Sequence, residues 1–104
     1  MAISLISVAI DAPLRQAFDY RAPPQVDPER LLPGARVWVP FGRRRAVGVI
    51  LGRPAQAGVP VERLRAAQAL IDESPAIGDE LLELLRWSAE YYRHPIGEVI
   101  AAAL

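Results

Sequence analysis

The sequence predicts an α+β domain in which a small, curled, antiparallel and barrel-like β-unit is followed by one or two carboxyl-terminal helices. Three observations carry that prediction. Short β-branched runs between residues 2 and 52 are punctuated by Pro and Gly, the pattern of several strands joined by turns. Residues 78–93 instead repeat apolar side chains at helical spacing, with acidic residues near the start and Arg93 and His94 at the end. The third is size: 104 residues, 52% hydrophobic and 23% charged, suffice for one core and argue against disorder. A single domain over 1–104 is expected, β-rich over 2–72 and helical over 78–104.

Residues 2–10, AISLISVAI, are rich in Ile and Val and suit a buried or half-buried strand, which Asp11, Pro13 and Arg15 then break. Phe18-Asp19-Tyr20-Arg21 alternates, so Phe18 and Tyr20 share one face of a strand and Asp19 takes the other. Pro23, Pro24 and Pro28 end that strand in a loop. Residues 33–42, PGARVWVPFG, read as a turn and a strand, with Val37 and Val39 opposite Arg36 and Trp38 and with Pro40 marking an edge or bulge. Arg43-Arg44-Arg45 is read as a tight connection to an antiparallel partner, AVGVILG. Residues 61–72 are ambiguous: Leu64, Ala67 and Ile71 fit a helical face and propensity leans helical, whereas their place in the chain also suits a strand. In the next segment Leu81, Leu84, Leu85, Ser88 and Tyr92 are expected to form the inner face of a helix that Pro95 stops. A short Ala-rich helix then runs from Ile96 to Leu104, and its apolar end is read as a truncation or a link to further protein.

The composition excludes several functions. There is no cysteine, which removes disulfides, thiol catalysis and cysteine-bound zinc within these residues. Apolar runs are too short to span a membrane and no leader follows Met1, so a soluble, untargeted domain without a membrane partner is expected. Twelve basic residues, all Arg, cancel twelve acidic ones, so any nucleic-acid site must be local rather than a broad basic coat. No nucleophile and base pair emerges, no catalytic residue is assigned, and His94, the single histidine, lacks neighbouring metal ligands.

Four motifs in order then resemble the amino-terminal domain of the primosomal replication-restart helicases, the PriA family: PLRQAFDY at 13–20, PGARVWVPFGRR at 33–44, Leu64-Arg65, and WSAEYYRHPIGEV at 87–99. The resemblance implies a domain that binds the 3′ end of a DNA strand, such as the nascent leading strand at a stalled fork. It implies a strand within 61–72 and a pocket at Phe18, Asp19, Tyr20, Gly42 and Arg65, with Arg43, Arg44 and Arg45 as candidate phosphate contacts. Its parent proteins are ATP-dependent 3′-to-5′ helicases of the bacterial cytoplasm, using ATP, magnesium and zinc. The winged-helix, motor and zinc regions that would carry those cofactors are absent from this sequence, so no cofactor and no enzymatic activity are expected of the chain itself. The implied partners are forked or single-stranded DNA, the remainder of the helicase in cis and, through it, the primosome and single-strand-binding proteins.

Each residue also has a plainer reading. A carboxylate beside DNA meets phosphate repulsion, so Asp19 suits a site only where phosphate is absent and a donor is offered, as at a 3′ hydroxyl or a base amino edge; otherwise it is a solvated strand residue. Phe18 and Tyr20 are core side chains or stacking surfaces, and alternation favours core if Asp19 faces a ligand. Gly42 either lets a sugar approach the main chain or permits the turn. Arg65 stands where the family commonly has Lys, which keeps the charge and adds a forked donor. The triple Arg is a phosphate contact or a solvated hairpin tip, and Trp38, Trp87, Tyr91 and Tyr92 are read as packing. Competing readings are a small-barrel protein- or RNA-interaction module indifferent to strand ends, and, third, an acid–base enzyme built on Asp19.

Overall fold

A computed structural model describes residues 4–12 and 17–104; Ala2, Ile3 and the Pro13–Gln16 part of the first motif lie outside the described residues. The elements run β1 (Leu5–Ile10), β2 (Phe18–Arg21), β3 (Arg36–Phe41), β4 (Arg44–Gly52), β5 (Ala69–Leu70), α1 (Asp79–Tyr92) and α2 (Ile96–Ala103), with single 3-10 turns at Pro28–Arg30 and Val61–Arg63. The strands form one antiparallel sheet in the order β2-β1-β4-β3-β5. The α+β class is as predicted, but the sheet is not closed into a barrel. An isolated parallel bridge between Arg21 and Ala66 ties β2 to the segment that leads into β5.

The sheet buries both faces, which accounts for the nearly unbroken apolar sequence of β1. Ile6, Val8 and Ile10 project into one core with Tyr20, Leu31, Val37, Val39 and Ile50, whereas Ala9, Val49 and Leu51 meet Ile77, Leu82, Ala89, Ile96 and Ile100 on the helical side. α2 packs directly on β1, and the contact depends on Gly97. A Cβ there would lie 1.5 Å from the Ile10 carbonyl oxygen, well inside any allowed separation.

The β3–β4 hairpin turns on Gly42 and Arg43 alone, with Gly42 at φ +62°. Glycine at the first of two loop positions is what a type II′ hairpin requires. The expected Arg43–Arg45 connection is thereby corrected, because Arg44 and Arg45 already pair with Phe41 and Pro40 as the start of β4. Pro40 needs no hydrogen bond on its other side, since β5 pairs only as far as Trp38.

Residues 61–72 are extended rather than helical after their opening 3-10 turn. The competition is settled by hydrogen bonds to the sheet: Gln68 N–H donates to the Trp38 carbonyl at 2.7 Å and Ile71 N–H to that of Arg36 at 2.9 Å. The Asp72 carboxylate then accepts from Arg36 Nε at 2.9 Å, Arg36 Nη2 at 3.0 Å and the Arg36 backbone N–H at 3.0 Å, which clamps the segment to β3.

α1 covers nearly the expected residues but turns a different face inward. Leu82 and Ala89 are buried, with Leu85 packed against the helical-side core, whereas Leu81, Leu84 and Tyr92 of the predicted inner face are exposed. The helix carries two apolar stripes, and the one with Leu82, Leu85 and Ala89 is the one that joins the helical-side core. It ends on Arg93 in left-handed geometry, φ +55°, whose N–H caps the final turn before Pro95 starts α2.

Candidate functional site

β2 is an edge strand, and its free side faces the segment that leads into β5. Arg21 N–H donates to the Arg65 carbonyl at 3.0 Å, Ala67 N–H to the Arg21 carbonyl at 2.8 Å, and Arg21 Nε to the Leu64 carbonyl at 3.1 Å. These bonds hold Leu64 and Arg65 alongside Asp19 and Tyr20. Between the two segments lies an open depression of about 480 Å³, with Phe18, Asp19, Tyr20, Arg63, Leu64 and Arg65 in its walls. Arg65 Nη1 donates to the Gly42 carbonyl at 2.7 Å, which joins the β3–β4 turn to the rim. All five residues singled out in the sequence are thus brought together. Leu64 entered the sequence reading only as part of the Leu64-Arg65 motif and of the ambiguous 61–72 segment, and Arg63 and the Gly58-Val59 loop were not singled out; of these last, Arg63, two residues before Arg65, is the one whose charge offered a signal.

The residues differ in how far they are committed to the fold. Tyr20 is 5% exposed and its hydroxyl donates to the Pro40 carbonyl at 2.7 Å; burial pushes its pKa up, opposed by the nearby Arg65 charge. It is a core residue whose edge reaches the depression. Phe18 is only half-buried and packs edge-on against Phe41, with ring centroids 5.3 Å apart. Asp19, opposite Ser7, takes the other face of β2 and is half-buried. Among the described residues the ion pairs are Arg30–Glu73 and Arg36–Asp72, and neither engages Asp19 or Arg65. Arg65 therefore offers the donors of a guanidinium that makes one contact to a carbonyl.

Arg43, Arg44 and Arg45 are exposed beside this rim. Arg45 lies 4.3 Å from the centre of the Trp38 ring, a cation–π contact that fixes it against β3 and leaves Arg43 and Arg44 as the outward charges. The packing role expected of Trp87, Tyr91 and Tyr92 is corrected: they are 57%, 66% and 61% exposed. Trp87 stacks on Tyr91 at 5.0 Å, and Tyr92 meets Tyr91 edge-on at 4.9 Å, so these rings pack on one another on the outer side of α1. With no cysteine in the chain and no cluster of three His, Asp or Glu side chains among the described residues, these residues do not fit a zinc site.

A family model described as the 3′ DNA-binding domain (3′BD) matches residues 7–104. A replication restart protein PriA from Haemophilus influenzae is 33% identical over 102 residues, covering 98% of this chain and 14% of the relative. The same-named protein of Treponema pallidum is 29% identical over 103 residues (95% and 16%), and that of Buchnera aphidicola subsp. Schizaphis graminum 26% identical over 100 residues (96% and 14%). The chain thus spans about one-seventh of the length of the curated relatives it matches.

Proposed function

The chain belongs to the 3′ DNA-binding domain family of the PriA replication restart proteins, and from that membership we propose that the depression beside β2 receives the terminal nucleotide at the 3′ end of a DNA strand. The observation that supports this most is the meeting of the Asp19 carboxylate, outside both ion pairs of the described residues, with the Arg65 guanidinium across one open depression. Asp19 accepts a hydrogen bond from the 3′ hydroxyl or from the amino edge of the last base. At that position the carboxylate meets a donor and no phosphate stands against it. Arg65 holds the phosphate on the 5′ side of the terminal nucleotide, keeping or exchanging its Gly42 contact, and a guanidinium suits that task better than an ammonium. The Gly42 main chain borders the sugar, the Phe18 ring edge lies against the terminal base, and Tyr20 holds β2 to β3 through Pro40. Arg43 and Arg44 add a weaker phosphate field.

On this reading the chain is a binding module without catalysis of its own. It delivers a nascent leading-strand end at a stalled fork to the remainder of a 3′-to-5′ helicase in cis. ATP, magnesium, zinc, and contacts with the primosome and single-strand-binding proteins, belong to that remainder, in the bacterial cytoplasm. Recognition of one terminal nucleotide makes few base-edge contacts, so binding is modest in affinity and nearly indifferent to sequence. The test is fluorescence anisotropy with one labelled strand whose free end is either 3′ or 5′, the other being blocked. The 3′ strand binds more tightly, and Asp19→Ala erases the difference while leaving the melting temperature unchanged. Equal binding of both ends by the native chain points to an interaction module indifferent to ends.

A further inference from the structure

A second depression, of about 410 Å³, opens next to the first; Ala17 is in the wall of both. Its other walls come from β4 at Leu51 and from the carboxyl end of α1 at Arg86, Glu90, Arg93 and His94. Asp79, Glu80 and Glu83 occupy the first turns of α1, away from the depression, whereas Arg86 at mid-helix, Glu90 in the last turn, Arg93 at the cap and His94 just beyond it border the depression. Among the described residues the hydrogen bond of the Arg86 side chain is a long one, 3.5 Å, to the Leu51 carbonyl, and Arg93 is exposed. Two permanent cations thus face a cavity against one carboxylate, Glu90, in a chain of zero net charge.

Resting on the end-pocket reading above, we propose that this second depression carries the single strand on the 5′ side of the terminal nucleotide, with Arg86 and Arg93 on its phosphates. The strand leaves the first depression past Ala17, whose small side chain separates the two. Charge complementarity selects a polyanion, and the shared wall selects the same strand whose end lies beside Asp19. The site is generic for backbone: it offers cations and an apolar floor of Leu51 and Ala89, and it adds affinity without sequence preference.

The experiment compares a 3′-hydroxyl dinucleotide with an octanucleotide on the native chain and on the double variant Arg86→Gln, Arg93→Asn. Asn is chosen because it tolerates the left-handed backbone at that position. The native chain binds the octanucleotide about tenfold more tightly, as the added charge-assisted contacts require. The double variant loses that gain and its salt slope falls by about 1.4, the value for two single-strand phosphate contacts. It keeps its dinucleotide affinity and its preference for a 3′ hydroxyl. Glu90→Gln, which removes a repelling charge without breaking a hydrogen bond, tightens the octanucleotide alone by about two- to threefold. A native preference for 3′ ends with no gain from length overturns the second depression and spares the first. A gain from length that survives the double variant, or that Glu90→Gln leaves untouched, places the strand elsewhere and overturns the inference. Loss of the 3′-end preference itself in the native chain removes the end pocket and this inference together.

Discussion

Phe18 and Asp19 are adjacent in sequence and opposite in commitment, and the difference is measurable. Phe18 lines the depression, yet it also packs edge-on against Phe41 and the core behind it. Complete burial of a Phe would make truncation cost about 3–5 kcal/mol. Half-burial lowers that, so Phe18→Ala is expected to destabilise the domain by about 1–2 kcal/mol and to weaken end binding as well. Thermal melting and anisotropy on the same variant check both effects, and lost binding at an unchanged melting temperature would make Phe18 a stacking surface only. Strand alternation at 18–20 made the division legible in the sequence, because once Tyr20 is core then Phe18 shares its face. The aromatics of α1 were not legible. Leu81, Leu84, Trp87 and Tyr91 recur at a spacing as helical as that of Leu82, Leu85 and Ala89. Periodicity cannot rank two apolar stripes on one helix, because both repeat at the same spacing.

Among the elements, the short β5 and the helix α2 each include a localised contact that a single substitution can test. The Arg36 guanidinium beside Asp72 holds that carboxyl below its ordinary value of 3.8. A carboxylate with a depressed folded pKa contributes stability that is complete above the ordinary value and is lost as pH falls through the folded one. Acid titration of the melting temperature should therefore drop more steeply for the native chain than for Asp72→Asn. In the variant the amides of Gln68 and Ile71 should also exchange faster at neutral pH. Identical acid profiles would mean that the ion pair does not hold β5. The resemblance favoured a strand here and propensity a helix. The strand is realised over two residues because paired backbone groups in the sheet outweigh the preference of an Ala-rich segment. For α2, Gly97→Ala should cost about 1–3 kcal/mol or more, since the added methyl must push the helix off the Ile10 carbonyl. A domain of this size would then melt about 5 °C lower or more. A melting temperature within a degree of the native value would show that α2 shifts freely on the sheet.

For the whole molecule, zero net charge and a local site go together. Arg63 and Arg65 line the first depression, Arg43 and Arg44 lie beside its rim, and Arg86 and Arg93 line the second, whereas α1 begins with Asp79, Glu80 and Glu83. The chain offers a short cationic track rather than a basic face, so its salt slope should stay well below that of a protein making roughly six or more phosphate contacts. A steeper slope would require a basic surface outside the two depressions. The composition points to a local site but not to its position, because the charge sum is blind to which residues the sheet edge gathers.

On the proposed reading end recognition turns on Asp19, because a carboxylate set against a strand end would read a hydroxyl and reject a charge. The decisive measurement is anisotropy of one labelled strand ending in a 3′ hydroxyl or in a 3′ phosphate. Two like charges about 4 Å apart repel by roughly 1 kcal/mol in water and about 4 kcal/mol at an effective dielectric near 20. Since 1.4 kcal/mol is tenfold, the phosphorylated strand is expected to bind at least about tenfold more weakly. Asp19→Asn should recover part of that loss, because the amide still hydrogen-bonds without the charge. Equal affinity of the native chain for the two strands would contradict recognition of the 3′ end through Asp19.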